Sequence, residues 1–507
     1  MDRLSPLDAT FLYIEDDNNP MHIGSITVFE GPPPTYGELV RLVAAKLALV
    51  PRYRQRVRFV PFGLGRPVWV DDPHFNLLYH IRRTGLPAPG GREELRNLAG
   101  RLFGQSLDRA KPLWELWMVE GLADQGGSPR AGSSGSGAER GTSPLQKGWA
   151  LISKVHHAMV DGVSGTDLMT VLFDLEPEPP PQRPTEWRPA QEPGSLRLLL
   201  DTAMDSVTDP LARLRGLPVL ARANLAGIGG RELRNFLYTM GQFLQPAAVS
   251  LNGPIGPHRR WSWASTSLDE IKEVRRTFGG TVNDVVLTAI TRGFRDLLIE
   301  RGEDVDGKVV RTLVPVSVRS EDERGTYNNR VSALFPGLPV GIADPLERLE
   351  AIRIQMEGFK ESRQAVAGDV LVNLSGFAAP MLLDLAARLA LRFEQNWVQT
   401  VTTNVPGPQF PLFVAGRKMT YAYPYVPIAG TVRIGIAIFS YLGGVNFGVT
   451  GDFDSVPDLE TLTAGIEAGI AELREAAATT APAPERPAHR PRKRSTRSRK
   501  RAVARAS

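Results

Sequence analysis

A proline-rich stretch, Glu176 to Pro193, divides this chain into two parts, and strand-like and helix-like patterns alternate on both sides of it. Prolines at that density remove the backbone donors that a helix or a sheet needs, so the stretch ends one folding unit and opens a connection. That connection continues through helical segments between Leu196 and Leu244. With 507 residues and 42% hydrophobic composition, each part is long enough to bury a core of its own. The expectation is an α/β (α+β) fold of two lobes, residues 1–175 and 257–478, joined by a connector over 176–256. Residues 124–147, rich in Gly and Ser without apolar periodicity, read as a disordered insert, and residues 479–507 as a disordered basic tail.

Local signals support this division. Ser5-Pro6-Leu7-Asp8 carries a cap, a first-turn proline and a reciprocating acid, and Thr35 to Glu38 is a second capping box ahead of Leu39, Leu42, Val43, Leu47 and Val50. Strands are expected at Ile23–Phe29, Leu116–Val119 and Trp149–Val155, with a helix around Arg92–Phe103. Ser164 and Asp167 would cap a helix bearing Leu168, Val171, Leu172 and Leu175. The second part opens with a strand at Arg260–Thr266 and helices capped at Ser267–Glu270 and Thr281–Asp284. Strands at Lys308–Val318, Val398–Thr403, Val432–Phe439 and Val445–Val449 and helices at Leu346–Met356 and Leu459–Ala477 complete it.

Charge and composition exclude several functions. There is no cysteine, which removes thiol nucleophiles, cysteine-ligated metals and disulfides. The net charge of +5 is misleading, because residues 486–507 hold ten Lys or Arg and no acid, leaving −5 for the body. The body therefore offers no basis for specific nucleic-acid binding. The acidic N-terminus lacks the pattern of a signal peptide, so the expected location is cytoplasmic. The apolar stretch Val366–Phe393 is broken by Asp369, Asp384, Arg388 and Arg392 and reads as buried or interfacial helix rather than a membrane span. No G-x-S-x-G elbow occurs, and Val309 spoils the near-match of Gly302–Lys308 to a phosphate loop. His22, His74, His80, His258 and His489 are too scattered for a metal site, and none is expected.

The chemistry-bearing run is His156-His157-Ala158-Met159-Val160-Asp161-Gly162, where a strand gives way to a helix. Ligands in open α/β sheets collect at such carboxyl ends of strands. His157 is the candidate general base, since an imidazole titrates close to neutrality. His156, turned the other way by strand alternation, would orient or pack. Asp161 would hold the turn, and Gly162 would allow a tight bend or a close substrate approach. The plainer alternative is a structural pair of histidines beside a turn.

This run resembles the HHxxxDG signature of the coenzyme A-dependent acyltransferase superfamily, to which chloramphenicol acetyltransferase and peptide-synthetase condensation domains belong. Ser5-Pro6-Leu7-Asp8, Pro112-Leu113-Trp114, Asn283-Asp284 and Thr403-Asn404-Val405-Pro406-Gly407-Pro408 resemble, in order and spacing, the bacterial wax ester synthase/diacylglycerol acyltransferase family. Pro315–Arg319 and Tyr327–Arg330 also look like family segments. The resemblance implies two chloramphenicol-acetyltransferase-like lobes, each a mixed sheet with flanking helices, and a tunnel at their interface. It also implies acyl-CoA as co-substrate with no bound cofactor, and diacylglycerol or a long-chain alcohol as acceptor, with no covalent acyl-enzyme. Asn283 would bind substrate or the developing oxyanion, with a plain helix cap as the alternative, and Asp284 would brace the site. Asn404–Pro408 reads as a rigid turn after a strand, and Pro112–Trp114 as core or tunnel wall.

A lipid acceptor implies peripheral contact with the inner face of a membrane or with lipid droplets. Leu211–Leu244, Ala378–Leu391 and the basic tail are candidate surfaces. Two other readings stand beside this one: an acyltransferase with a different acceptor, such as a polyketide alcohol or an amine, and a non-catalytic lipid-droplet-binding protein.

Overall fold

A computed structural model describes residues 2–123, 148–160, 171–180, 186–208, 250–317, 331–361 and 397–480. The readings made above for the insert, Asp161, Gly162, the helix cap at Ser164, Tyr327–Arg330, Val366–Phe393, Leu211–Leu244 and the tail lie wholly or mainly outside the described residues, as do Val318 and Arg319.

The first part runs β1 (Asp2–Arg3), α1 (Pro6–Ile14), β2 (His22–Phe29), α2 (Tyr36–Lys46), β3 (Gln55–Arg58), β4 (Val68–Asp71), α3 (Leu77–His80), β5 (Ile81–Gly85), α4 (Arg92–Gly104), β6 (Trp114–Leu122) and β7 (Gly148–His156). Helix α5 (Ser195–Thr208) follows in the connector. The second part runs β8 (Arg259–Ser267), α6 (Leu268–Phe278), α7 (Val282–Glu300), β9 (Val310–Ser317), β10 (Val331–Leu334), β11 (Gly337–Leu338), α8 (Pro345–Glu361) and β12 (Thr400–Pro406). It closes with β13 (Phe413–Val414), β14 (Arg417–Tyr425), β15 (Ile434–Tyr441), β16 (Gly444–Asp452) and α9 (Leu459–Thr479).

The capping signals act as read. Ser5 Oγ accepts from the Asp8 amide, and full capping boxes close α2 at Thr35/Glu38, α6 at Ser267/Glu270 and α7 at Thr281/Asp284. Each box satisfies amides that a helix start leaves without partners.

Two mixed sheets carry the lobes. One has strand order β13-β14-β2-β7-β6-β5, and the other has β10-β9-β12-β15-β16-β8 with β11 pairing to β9. A small sheet, β1-β4-β3, lies apart from both. One face of the first sheet packs Trp149, Leu151, Val155 and Met118 against Ala9 and Leu12 of α1 and Leu39 and Val43 of α2. Its opposite face packs Ile26, Ala150 and Ile152 against Leu95, Leu98, Leu102 and Phe103 of α4, and against Trp261 and Trp263 of β8. This second core therefore joins the lobes. The other sheet is covered by α6, α7, α8 and α9. There α7 and α9 touch backbone to backbone, because a Cβ on Gly465 would lie 2.7 Å from the Gly293 Cα.

Two features differ from the expectations. Segment Phe413–Tyr425, within the part read as the second lobe, adds β13 and β14 to the edge of the first sheet beyond β2. The Asn404–Pro408 segment is not a turn throughout. Asn404, Val405 and Pro406 continue β12 in parallel register with Ile438, Phe439 and Ser440, and Pro406 is tolerated at the strand's last position. Among the described residues no helix is long and apolar enough to cross a membrane.

Candidate active site

The site begins with the alternation of β7. His156 and Lys154 point to the α4 side, and His156 stands opposite His22 in the antiparallel ladder with β2. The chain then leaves the sheet in one tight turn, His157–Met159. Backbone bonds pin both histidines: the His156 amide donates to Leu113 O and the His157 amide to Met21 O, each at 2.9 Å.

His156 has no solvent exposure, and its Nδ1 accepts the Ala158 amide at 3.0 Å, so the ring caps the turn that carries His157. Accepting at Nδ1 assigns the ring proton to Nε2, which lies 3.4 Å from Glu15 Oε2. Glu15 ends α1 with its side chain 4% exposed, and its carboxylate accepts from the Met21 amide at 3.0 Å and from Arg109 Nε at 2.8 Å. Burial pushes this carboxyl up, but His156, the Met21 N–H and Arg109 outweigh it and hold it at about 2. Glu15 is therefore a fixed anion behind His156.

His157 turns to the α1 side, where its ring stacks on Phe11 with centroids 3.8 Å apart. Its Nδ1 is buried and meets no hydrogen-bond partner beyond the residue's own backbone carbonyl. Burial pulls the imidazole down to about 4; its own backbone carbonyl opposes this and His156 adds to it. The ring is thus neutral near pH 7, the form that can accept a proton.

In the second lobe, Thr281 rather than Asn283 caps α7, which removes the plain-cap reading of Asn283. Asn283 is the second residue of the helix, and its Oδ1 accepts from Asn404 Nδ2 at 3.5 Å. Asp284 is 3% exposed and closes the capping box, accepting from the Thr281 amide at 2.7 Å. Its bracing contact is with the helix start. Leu113 and Trp114 are core residues, 0% and 1% exposed. Among the described residues no hydrogen bond or ion pair joins the histidine group to the asparagine group. Between α1 and β2 the chain is tied to the second lobe by Arg259, which donates to Asn18 O, and by the Gly430 amide, which donates to Asn19 Oδ1 at 2.9 Å.

Sequence reasoning passed over Glu15, Phe11 and Lys154, and set His22 aside as an isolated histidine. His22 and Lys154 are fully buried. Burial and the charge of Lys154 push His22 well down, while burial holds Lys154 at about 8. A lysine inside the apolar run Trp149–Val155 was the available signal for this cluster. Glu15 had none, since only the fold brings it to His156.

Comparison with known proteins identifies the family. The family described as wax ester synthase/diacylglycerol acyltransferase catalytic domain matches residues 4–126 and 145–286, and its C-terminal domain matches residues 327–474. A Mycobacterium tuberculosis protein named a probable diacylglycerol O-acyltransferase is 36% identical over 477 residues, covering 93% of this chain and 96% of that protein. The solved wax ester synthase/diacylglycerol acyltransferase of Marinobacter aquaeolei VT8 aligns with a TM-score of 0.64 at 26% identity, over 94% of this chain and 100% of that one. A trichothecene 15-O-acetyltransferase from Fusarium sporotrichioides shares the fold at 12% identity and a TM-score of 0.55, over 94% of each chain. Motifs, two-lobe architecture and full-length relatives converge: the chain is an acyltransferase of the wax ester synthase/diacylglycerol acyltransferase family.

Proposed function

We propose that this protein moves the acyl group of a long-chain acyl-CoA onto the hydroxyl of diacylglycerol or of a long-chain alcohol, giving triacylglycerol or wax ester. His157 takes the hydroxyl proton as the alkoxide oxygen attacks the thioester carbonyl. The tetrahedral oxyanion then collapses with cleavage of the C–S bond, and the imidazolium returns the proton to the CoA thiolate. No acyl-enzyme forms and no cofactor takes part.

The observation that carries this reading is the placement of His157: its ring stacks on Phe11 just past the end of β7, on a turn capped by His156, which itself faces Glu15. Asn283, near the positive end of α7, is the proposed donor to the oxyanion, with Asp284 fixing the helix start. Asp161 and Gly162, which lie outside the described residues, are given supporting roles on the strength of the motif alone. Because both acceptors are water-insoluble, the protein works at the cytoplasmic face of a membrane or on lipid droplets.

The test incubates purified protein with palmitoyl-CoA and either diolein or hexadecanol and follows free thiol. His157→Ala should lower turnover by roughly 100-fold or more. Equal turnover in the variant sinks the base assignment. Turnover only with a polyketide alcohol or an amine identifies a different acceptor, and none with any acceptor supports a lipid-binding role without catalysis.

A further inference from the structure

Exposed apolar side chains of the β3–β4 connection and of the connector helix α5 gather on one surface beside the small sheet. Phe62, 83% exposed, sits at the tip of the β3–β4 connection, with Leu64 at 58% and Phe59 at 44%. Phe62 holds φ at 60°, a conformation that costs a bulky aromatic residue and fixes its direction. Helix α5 lies alongside. Its inner face buries Leu198 against Val68 and Val70 of β4, and a Cβ on Gly65 would come within 2.8 Å of Thr202. At the helix start, Arg58 Nη2 donates to Ser195 Oγ at 3.4 Å. With that face committed, Leu196 and Leu200, one turn apart, face outward at 71% and 57% exposure. Protruding apolar side chains on a tip and an adjoining helix are suited to entering a lipid interface.

Charge selects the partner. Arg56 and Arg58 on β3 share the single carboxylate of Glu192, Arg66 follows Leu64 and Gly65 in the β3–β4 connection, and Arg197 is exposed beside Leu196 on α5, where Asp201 is half-buried. A second copy docked here would set the same positive rim against itself, whereas anionic headgroups complement it. The surface is linked to the site through α1: the Leu4 amide bonds Pro67 O, Ser5 caps α1, and Phe11 of α1 stacks on His157. The nine residues of α1 span about 13 Å.

We propose that Phe62, Leu64, Leu196 and Leu200 seat this protein on a phospholipid surface carrying anionic headgroups, on the side from which α1 leads to His157. The proposal rests on the lipid-acceptor reading above and adds the surface that meets the lipid.

Full-length protein should float with phosphatidylcholine vesicles containing phosphatidylglycerol, less with phosphatidylcholine alone, and less with added salt. The combined variant F62S/L64S/L196S/L200S should lose at least about tenfold in binding, whereas Ile354→Ser, a control at an equally exposed position on α8, should not. Turnover of palmitoyl-CoA with hexadecanol in detergent micelles should be the same in all three proteins. Flotation of the combined variant equal to wild type, or absence of flotation in the wild type, overturns the docking surface. So does a wild-type dimer in light scattering that the four substitutions dissolve. Loss of micellar turnover with flotation retained would place these side chains in the catalytic path and also overturn it. Failure of the acyl-transfer reading shows separately, as no thiol release from wild type in micelles whatever the flotation result.

Discussion

His156 and His157 are adjacent in sequence, yet the pleat of β7 and the turn after it give them opposite surroundings. One ring caps a backbone turn and faces a carboxylate, and the other stacks on Phe11 with a buried Nδ1 that meets only the residue's own backbone carbonyl. This difference has a kinetic signature. His157 sits at about 4 instead of the usual 6.5, so it is a competent base above that value and is lost by protonation below it. The profile of kcat/KM should be flat from about pH 8 down to about pH 5, with its acid limb centred near 4. An acid limb near 6.5 would mean that the imidazole is solvated in the working enzyme. The adjacent pair was legible in the sequence because the motif is contiguous. Glu15 was not, since it reaches His156 across 141 positions and its own neighbourhood reads as an ordinary helix end.

Elements differ in how plainly they announce themselves. The caps at Ser5, Thr35, Ser267 and Thr281 lie within a few residues of the amides they satisfy, so they were readable. Strand β14 was missed for two physical reasons. A bulge between Met419 and Tyr421 shifts the alternation, so Met419 and Ala422 face one core while Tyr423 and Tyr425 face the other. Pro424 also argues locally against a paired strand, although here it faces Ser25 within the ladder. That proline makes a second contact: a Cβ on Gly448 of β16 would fall 1.6 Å from Pro424 O, so the strands of the two sheets cross with nothing between their backbones. Gly448→Ala should cost about 2–3 kcal/mol or more through forced separation, read as a lower urea midpoint at unchanged slope. A midpoint within error of wild type would show that the crossing is loose.

At the scale of the whole molecule, the two lobes are not independent. The α4–β8 core, the Gly448 contact and the strands β13 and β14 make each lobe part of the other's packing. Asp174 reinforces this: its backbone pairs with Phe413 in both directions, and its carboxylate takes the buried Lys46 Nζ at 2.7 Å. Thermal unfolding should therefore be one cooperative transition, coincident in far-ultraviolet circular dichroism and in tryptophan fluorescence, which reports Trp114 and Trp149 in the first lobe and Trp261 and Trp263 on β8. Two separated transitions would show that the shared elements carry little coupling. The division at the proline-rich stretch was legible as composition, but the exchange of strands across it was not, because pairing partners about 400 residues apart leave no local trace. That separation also has a consequence in time. On a ribosome adding roughly 5–20 residues per second, β2 emerges some 20–80 s before the strand that will cover its free edge. Throughout that interval the nascent chain presents an unpaired strand edge, the kind of surface that invites mispairing or a chaperone's protection.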